Sequence, residues 1–180
     1  MPDMNRRKLL ATLAVAPLAA GVVGRAVADN KFKPAESSRE KLRKRYFPNF
    51  ELTTHEGKKV KFYDDLIKDK IVVINFMYAK CEGICVPVTR NLKKVQALLG
   101  NRVGRDIFIY SITLDPEHDT PAALKAYAAK YGAGPGWLFL TGTREDIDRV
   151  RFKLGERGEK SEHPNIVRVG NGATGQWMRL

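Results

Sequence analysis

Cys81 and Cys85 are the two cysteines of this 180-residue chain, with three residues between them. Thiols at that spacing support three kinds of chemistry. As thiolates they are a soft donor pair for a soft metal ion, they can exchange with a disulfide, or they can close a short inert bridge. A bridge over so short a loop constrains little of the unfolded chain, which counts against the third. Two cysteines are too few to staple a fold, and they fall short of the four ligands of a closed zinc site. A peroxide-attacking cysteine would want a threonine three positions earlier, where Tyr78 stands. From the residues alone His55 reads as a turn residue, His118 as a solvated loop or first-turn residue, and His163 as an ordinary loop histidine. Asp115, before Pro116, reads as local turn chemistry or as an acid behind the cysteines, and Asp119 as help in capping a helix at Thr120. Trp137 and Phe139 read as core.

The flanking pattern says what positions the cysteines. Ile71 to Met77 is a dense β-branched and aromatic run suited to a central strand, and the cysteines follow it directly. Val88 to Leu99 has helical period and ends at Gly100. A helix beginning near Cys85 would turn its N–H groups and positive dipole end toward both thiolates, with Lys80 assisting. Ile107 to Leu114 is a second central strand, and Thr120-Pro121 opens a helix that runs to Tyr131. Trp137 to Leu140 is a short strand, and Thr143 caps a helix from Arg144 to Leu154. Phe50–Thr53 and Lys59–Phe62 alternate around a turn at His55-Glu56-Gly57, an N-terminal β-hairpin. Ile166–Val169 and Gln176–Arg179 form a closing hairpin around the Gly-Asn-Gly turn at 170–172. Strands alternating with helices predict an α/β fold, a thioredoxin-like mixed β-sheet with helices on both faces. In such sheets function collects at the carboxyl ends of strands, where Cys81, Cys85 and the Leu114-Asp115-Pro116 loop fall.

Three segments follow from composition: 1–28, 29–47 and 48–180. Arg6-Arg7-Lys8 is a compact positive region, Leu9 to Val23 is apolar apart from Pro17, and Ala26-Val27-Ala28 offers small residues before Asp29. This is the layout of a cleaved export signal, and the paired arginines before Leu9-Leu10 resemble the twin-arginine type. The expected location is the periplasm. Residues 29–47 read as a basic flexible tether with one helical turn near Ser38–Lys44. The signal holds four of the 32 Lys/Arg and one of the 20 Asp/Glu, so the remainder carries a net charge of +9. Outside the cytoplasm that charge favours an acidic protein surface or anionic lipid, giving peripheral membrane contact, and not nucleic acid.

Residues 75–85, Asn-Phe-Met-Tyr-Ala-Lys-Cys-Glu-Gly-Ile-Cys, resemble the strand and Cys-x-x-x-Cys loop of the Sco/SenC family. Residues 111–121 resemble its second block, residues 137–143 its third, and His163 its late histidine. Three departures stand out: Val86 separates Cys85 from Pro87, Pro164 follows the histidine, and the stretch from Gly155 to His163 is short. The resemblance implies a copper-binding accessory protein whose ligands are Cys81, Cys85 and His163. Two thiolates and an imidazole suit Cu(I) and can also hold Cu(II). The implied client is a copper protein such as a respiratory oxidase or reductase subunit. The other readings are a thiol–disulfide oxidoreductase, with Cys81 and Cys85 catalytic and served by a thiol reductant protein, and a redox or copper sensor. Pro164 stands where thioredoxin-like folds commonly carry a cis-proline.

Overall fold

The structure is a computed structural model that describes residues 37–158 and 166–180. The elements are α1 (Ser38–Tyr46), β1 (Glu51–Thr54), β2 (Lys59–Lys61), a π-helical turn (Phe62–Ile67), β3 (Ile71–Met77), α2 (Cys85–Leu99), β4 (Ile107–Thr113), α3 (Pro121–Lys130), β5 (Trp137–Gly142), α4 (Arg144–Lys153), β6 (Val167–Asn171) and β7 (Gln176–Arg179). The seven strands form one sheet in the order β2-β1-β5-β4-β3-β6-β7. β3, β4 and β5 are parallel, and antiparallel hairpins flank them on either side.

Alternation along β3 distributes its side chains between two cores. Val72, Ile74 and Phe76 face one layer, where Ile147 and Val150 of α4 pack with Phe47 and Phe62. Val73 and Met77 face the other, with Val88 and Leu92 of α2, Leu124 and Tyr127 of α3, and both cysteines. The expected mixed sheet covered on both faces is therefore present. Where the inner strands carry polar groups, the groups satisfy one another. Trp137 Nε1 donates to Ser111 Oγ at 3.0 Å, and that hydroxyl donates to Asn75 Oδ1 at 2.7 Å.

Helix ends follow local chemistry. Thr120 and Thr143 accept from the backbone N–H of Ala123 and Asp146, as their N-cap positions predict. α2 ends at Gly100, whose φ of 52° is the left-handed conformation that glycine adopts without Cβ strain. Three segments differ from the sequence reading, and in the last of them the closing hairpin turns at 172–175, because Gly170 and Asn171 pair with Trp177 and Gln176 inside the ladder. In place of one turn in a tether, Ser38–Tyr46 is a nine-residue helix capped by Ser37. It is docked: Glu40 accepts from the Tyr63 hydroxyl at 2.9 Å, and Phe47 packs on Phe62 and Trp177. Lys59–Phe62 is also not all strand, because the chain leaves β2 at Lys61 and winds into the π turn that buries Phe62, Tyr63, Leu66 and Ile67.

Candidate metal centre

β3 and β4 pair in parallel with Met77 opposite Thr113, so the loops that leave their carboxyl ends are neighbours. Leu114 N–H donates to Met77 O at 2.7 Å and continues that pairing into the loops. Asp119, buried, closes the arrangement. Its Oδ2 accepts from Ala79 N–H at 3.0 Å and from the Thr113 hydroxyl at 2.6 Å, which fixes the cysteine loop to the end of β4. The sequence suggests a capping role for Asp119, and the structure makes it a brace for the site.

Cys81 and Cys85 are both free thiols, so the short bridge is not formed. Cys85 is the first residue of α2 and is 1% exposed, while Cys81, in the loop before it, is 7% exposed at the rim of a hollow of about 720 Å³. Ile84 at the helix N-cap offers no side-chain acceptor. The Cys81 sulfur takes that place, receiving the backbone N–H of Cys85 and of Gly83. Pro87 falls in the first turn, where its missing N–H costs no intrahelical bond, so the departure at Val86-Pro87 leaves the helix start intact.

The two thiols are electrostatically unequal. Burial pushes the Cys81 pKa up, but hydrogen bonds from the Cys85 thiol, the Cys85 and Gly83 N–H groups and the Tyr78 hydroxyl outweigh it, and the net shift is down. Cys85 is pushed up to about 12, first by burial and then by donating to Cys81. Tyr78 is likewise raised to about 12, chiefly because it donates to Cys81. Cys81 is thus the more acidic thiol of the pair, and Cys85 the proton-bearing partner that donates to it. Lys80 is exposed beside the hollow, and hydrogen bonds, not its charge, lead the stabilisation of the thiolate. The surroundings are apolar, with Met77, Val88 and Tyr127 in the same buried cluster. Thr89 ties the base of the site together, donating to Cys85 O at 2.8 Å and lying 3.1 Å from the Tyr127 hydroxyl.

A direct consequence concerns Tyr78. Tyr78→Phe removes one hydrogen bond to the Cys81 thiolate, so the pH profile of Cys81 alkylation by iodoacetamide is expected to move to higher pH. The rate at neutral pH should fall several-fold, roughly in line with one lost hydrogen bond to a charged group. An unchanged profile would show that the hydroxyl does not hold the thiolate.

The structure brings Cys81 and Cys85 together. His163 and Pro164 lie outside the described residues. The other histidines are elsewhere: His55 Nδ1 accepts from Phe139 N–H at 3.2 Å and seals the β1–β5 edge, while His118 lies 3.0 Å from Asp115. Asp115, Glu117 and His118 gather three donor atoms within 4.8 Å of one another. Glu117 is committed to a bidentate pair with Arg144 at 2.7 and 3.0 Å, so this is an ion-pair cluster on the loop. Asp115 fits its turn reading, with its carbonyl accepting from His118 and Asp119, and its charge also raises Tyr78. The donor set at the cysteines fits a soft cation: two buried sulfurs, one already favoured as thiolate, in an apolar wall. Sequence reasoning missed the roles of Tyr78 and Asp119. The only signal for the first was a tyrosine three residues before Cys81, and the second depends on strand register.

Known proteins resemble this chain in both sequence and fold. The SCO1 protein homolog of Bacillus subtilis is 32% identical over 106 residues, covering 58% of this chain and 53% of that protein. This chain thus spans about half the length of the curated relatives it matches. Among solved structures, BsSco, described as having a disulfide switch and as a member of the Sco family of cytochrome c oxidase assembly proteins, superposes with a TM-score of 0.61 at 26% identity, covering 72% of this chain and 79% of that one. Copper-bound ScoI of Bradyrhizobium japonicum shares the fold, with a TM-score of 0.60 at 24% identity over 72% of this chain and 84% of that one. The SCO1/SenC family model matches residues 38–167, from the docked helix through both cysteines to the first residue of β6, and the chain belongs to that family.

Proposed function

We propose that this protein binds one copper ion through Cys81 Sγ and Cys85 Sγ, with His163 as third ligand, and passes it to a client copper enzyme during assembly. The observation that carries the reading is the pair of free thiols at the start of α2, one of them stabilised as thiolate in an apolar setting. Copper is the cargo. It arrives at Cys81, the member of the pair nearer the surface, and displaces the proton that Cys85 holds in the metal-free state. The copper-bound ScoI of B. japonicum and the oxidase-assembly description of BsSco support both the metal and the class of client. The export signal read in residues 1–28 supports a periplasmic site of action.

A second reading has its own observation, the opposite shifts of the two thiols. Cys81 thiolate would attack a client disulfide and release one client thiolate. Cys85, losing its proton, would then attack the Cys81 sulfur of the mixed disulfide and release the second. Two electrons pass to the client, the Cys81–Cys85 disulfide forms, and a thiol reductant protein restores the pair. His163→Ala separates the two readings. For a copper carrier, Cu(II) affinity drops by orders of magnitude while exchange with a small dithiol is kept. Cu(II) affinity and exchange both unchanged would leave the thiol reductase as the better account.

A further inference from the structure

A groove of about 960 Å³ runs between α1, the end of α4 and the β6–β7 hairpin, away from the residues that surround the cysteines. Its lining is one-sided in charge. Arg39 and Arg43 of α1, Lys153 at the end of α4, Arg157 in the segment after it, and Arg179 of β7 contribute cations, and no Asp or Glu lines it among the described residues. Of the acids adjacent in sequence to these cations, Glu40 is held by the Tyr63 hydroxyl and Lys68, and Glu156 is buried against Arg168.

The same face carries large apolar side chains that a folded chain normally hides. Leu42, Tyr46, Phe152 and Met178 are each between 57% and 63% exposed. They come from three elements and all line the one groove. On α1 the pairs Leu42/Tyr46 and Arg39/Arg43 are each four residues apart, so an apolar stripe and a cationic stripe run side by side. Cations and rings are also in direct contact. Lys153 Nζ lies 5.5 Å from the Tyr46 ring and the Arg157 guanidinium 4.5 Å from that of Phe152.

We propose that this face docks on an anionic bilayer surface, with Leu42, Tyr46, Phe152 and Met178 entering the headgroup region and the surrounding cations meeting lipid phosphates. Charge complementarity selects the occupant. Five cations interleaved with exposed apolar and aromatic groups, and no acid in the lining among the described residues, match a continuous layer of lipid phosphates over an apolar interior. Long Lys and Arg stems can lay their methylenes beside the apolar groups and lift their charges to the phosphates. Tyr and Phe among basic residues match the chemistry of the interfacial zone. This inference is independent of the copper reading, because no groove residue named here touches the cysteines.

The test is flotation of the full-length chain with vesicles of phosphatidylcholine alone and of phosphatidylcholine mixed with phosphatidylglycerol. The run Leu9–Val23 is itself apolar, so binding to the neutral vesicles is the baseline and the anionic gain is the reading. Arg39→Gln/Arg157→Gln/Arg179→Gln should cut that gain by on the order of a hundredfold, at roughly fivefold for each cation near the surface. The gain should also shrink with added salt. The control triple Lys58→Gln/Lys94→Gln/Lys125→Gln removes the same charge from exposed positions elsewhere and should cost no more than roughly fivefold. Replacing the three groove arginines by lysine should keep the gain, which shows that charge and not a folding defect was lost. Equal losses in the two Gln triples would reduce the effect to net charge and overturn the proposal. An anionic gain that is absent, or that survives the groove triple, would also overturn it and leave the face to an acidic protein.

Discussion

Cys81→Ser and Cys85→Ser are each expected to lower Cu(I) affinity by orders of magnitude, read anaerobically against a competing chelator. A soft monovalent cation gains little from a hydroxyl, so either change removes half of the thiolate donors. The two variants should differ in what remains. Cys85→Ser leaves the Cys81 thiolate without its thiol donor but with the N–H groups of Cys85 and Gly83 and the Tyr78 hydroxyl. Its alkylation at neutral pH should therefore continue. Cys81→Ser leaves Cys85, buried and pushed up to about 12 chiefly by burial, so alkylation at neutral pH should nearly vanish. Tight Cu(I) binding retained by the double serine variant would remove the cysteines from the account.

The second large effect lies away from the cysteines. Arg168 on β6 pairs with Glu156 at 3.2 Å, both almost fully buried, and donates from Nε to the Leu154 carbonyl while its guanidinium lies 5.2 Å from the Phe76 ring centroid. Arg168→Met would leave the Glu156 carboxylate buried without its cation. The expected cost is about 3–5 kcal/mol, a drop in Tm of roughly 10 °C or more for a domain this size. Because desolvation already lowers the Arg168 pKa, the pair itself is a weak net stabiliser. Arg168→Met/Glu156→Leu should therefore recover most of the loss, measured by thermal melts of the single and double variants. A single variant as stable as the parent, or a double variant as damaged as the sum of the singles, would refute a coupled buried pair. The pair also joins the residues on either side of the stretch that contains His163.

What the sequence made legible was local. Ile71–Met77 is a strand over the residues its β-branched run marks, and Thr120 and Thr143 cap the helices they precede, because strand pattern and capping chemistry are encoded within a few residues. The placement of Cys85 at a helix start was legible for the same reason, although α2 begins three residues before its apolar period does. Distant contacts were not legible. α1 has no buried residue of its own, so its composition reads as tether, and what docks it is Glu40 meeting Tyr63 and Phe47 meeting Trp177 across the chain. Asp119 braces the cysteine loop only because β3 and β4 are in parallel register with Met77 beside Thr113, which no spacing in the sequence announces. Glu156 and Arg168 look like solvated charges until β6 is placed beside β3.

X-ray absorption at the copper edge of the Cu(I)-loaded protein tests the central claim most directly, because it counts sulfur neighbours irrespective of affinity. The account predicts one copper per chain with two sulfur ligands, falling to one in Cys81→Ser and in Cys85→Ser when each is loaded with excess copper. A copper bound by nitrogen and oxygen alone in the unmodified protein, or a sulfur count unchanged by either substitution, would contradict it.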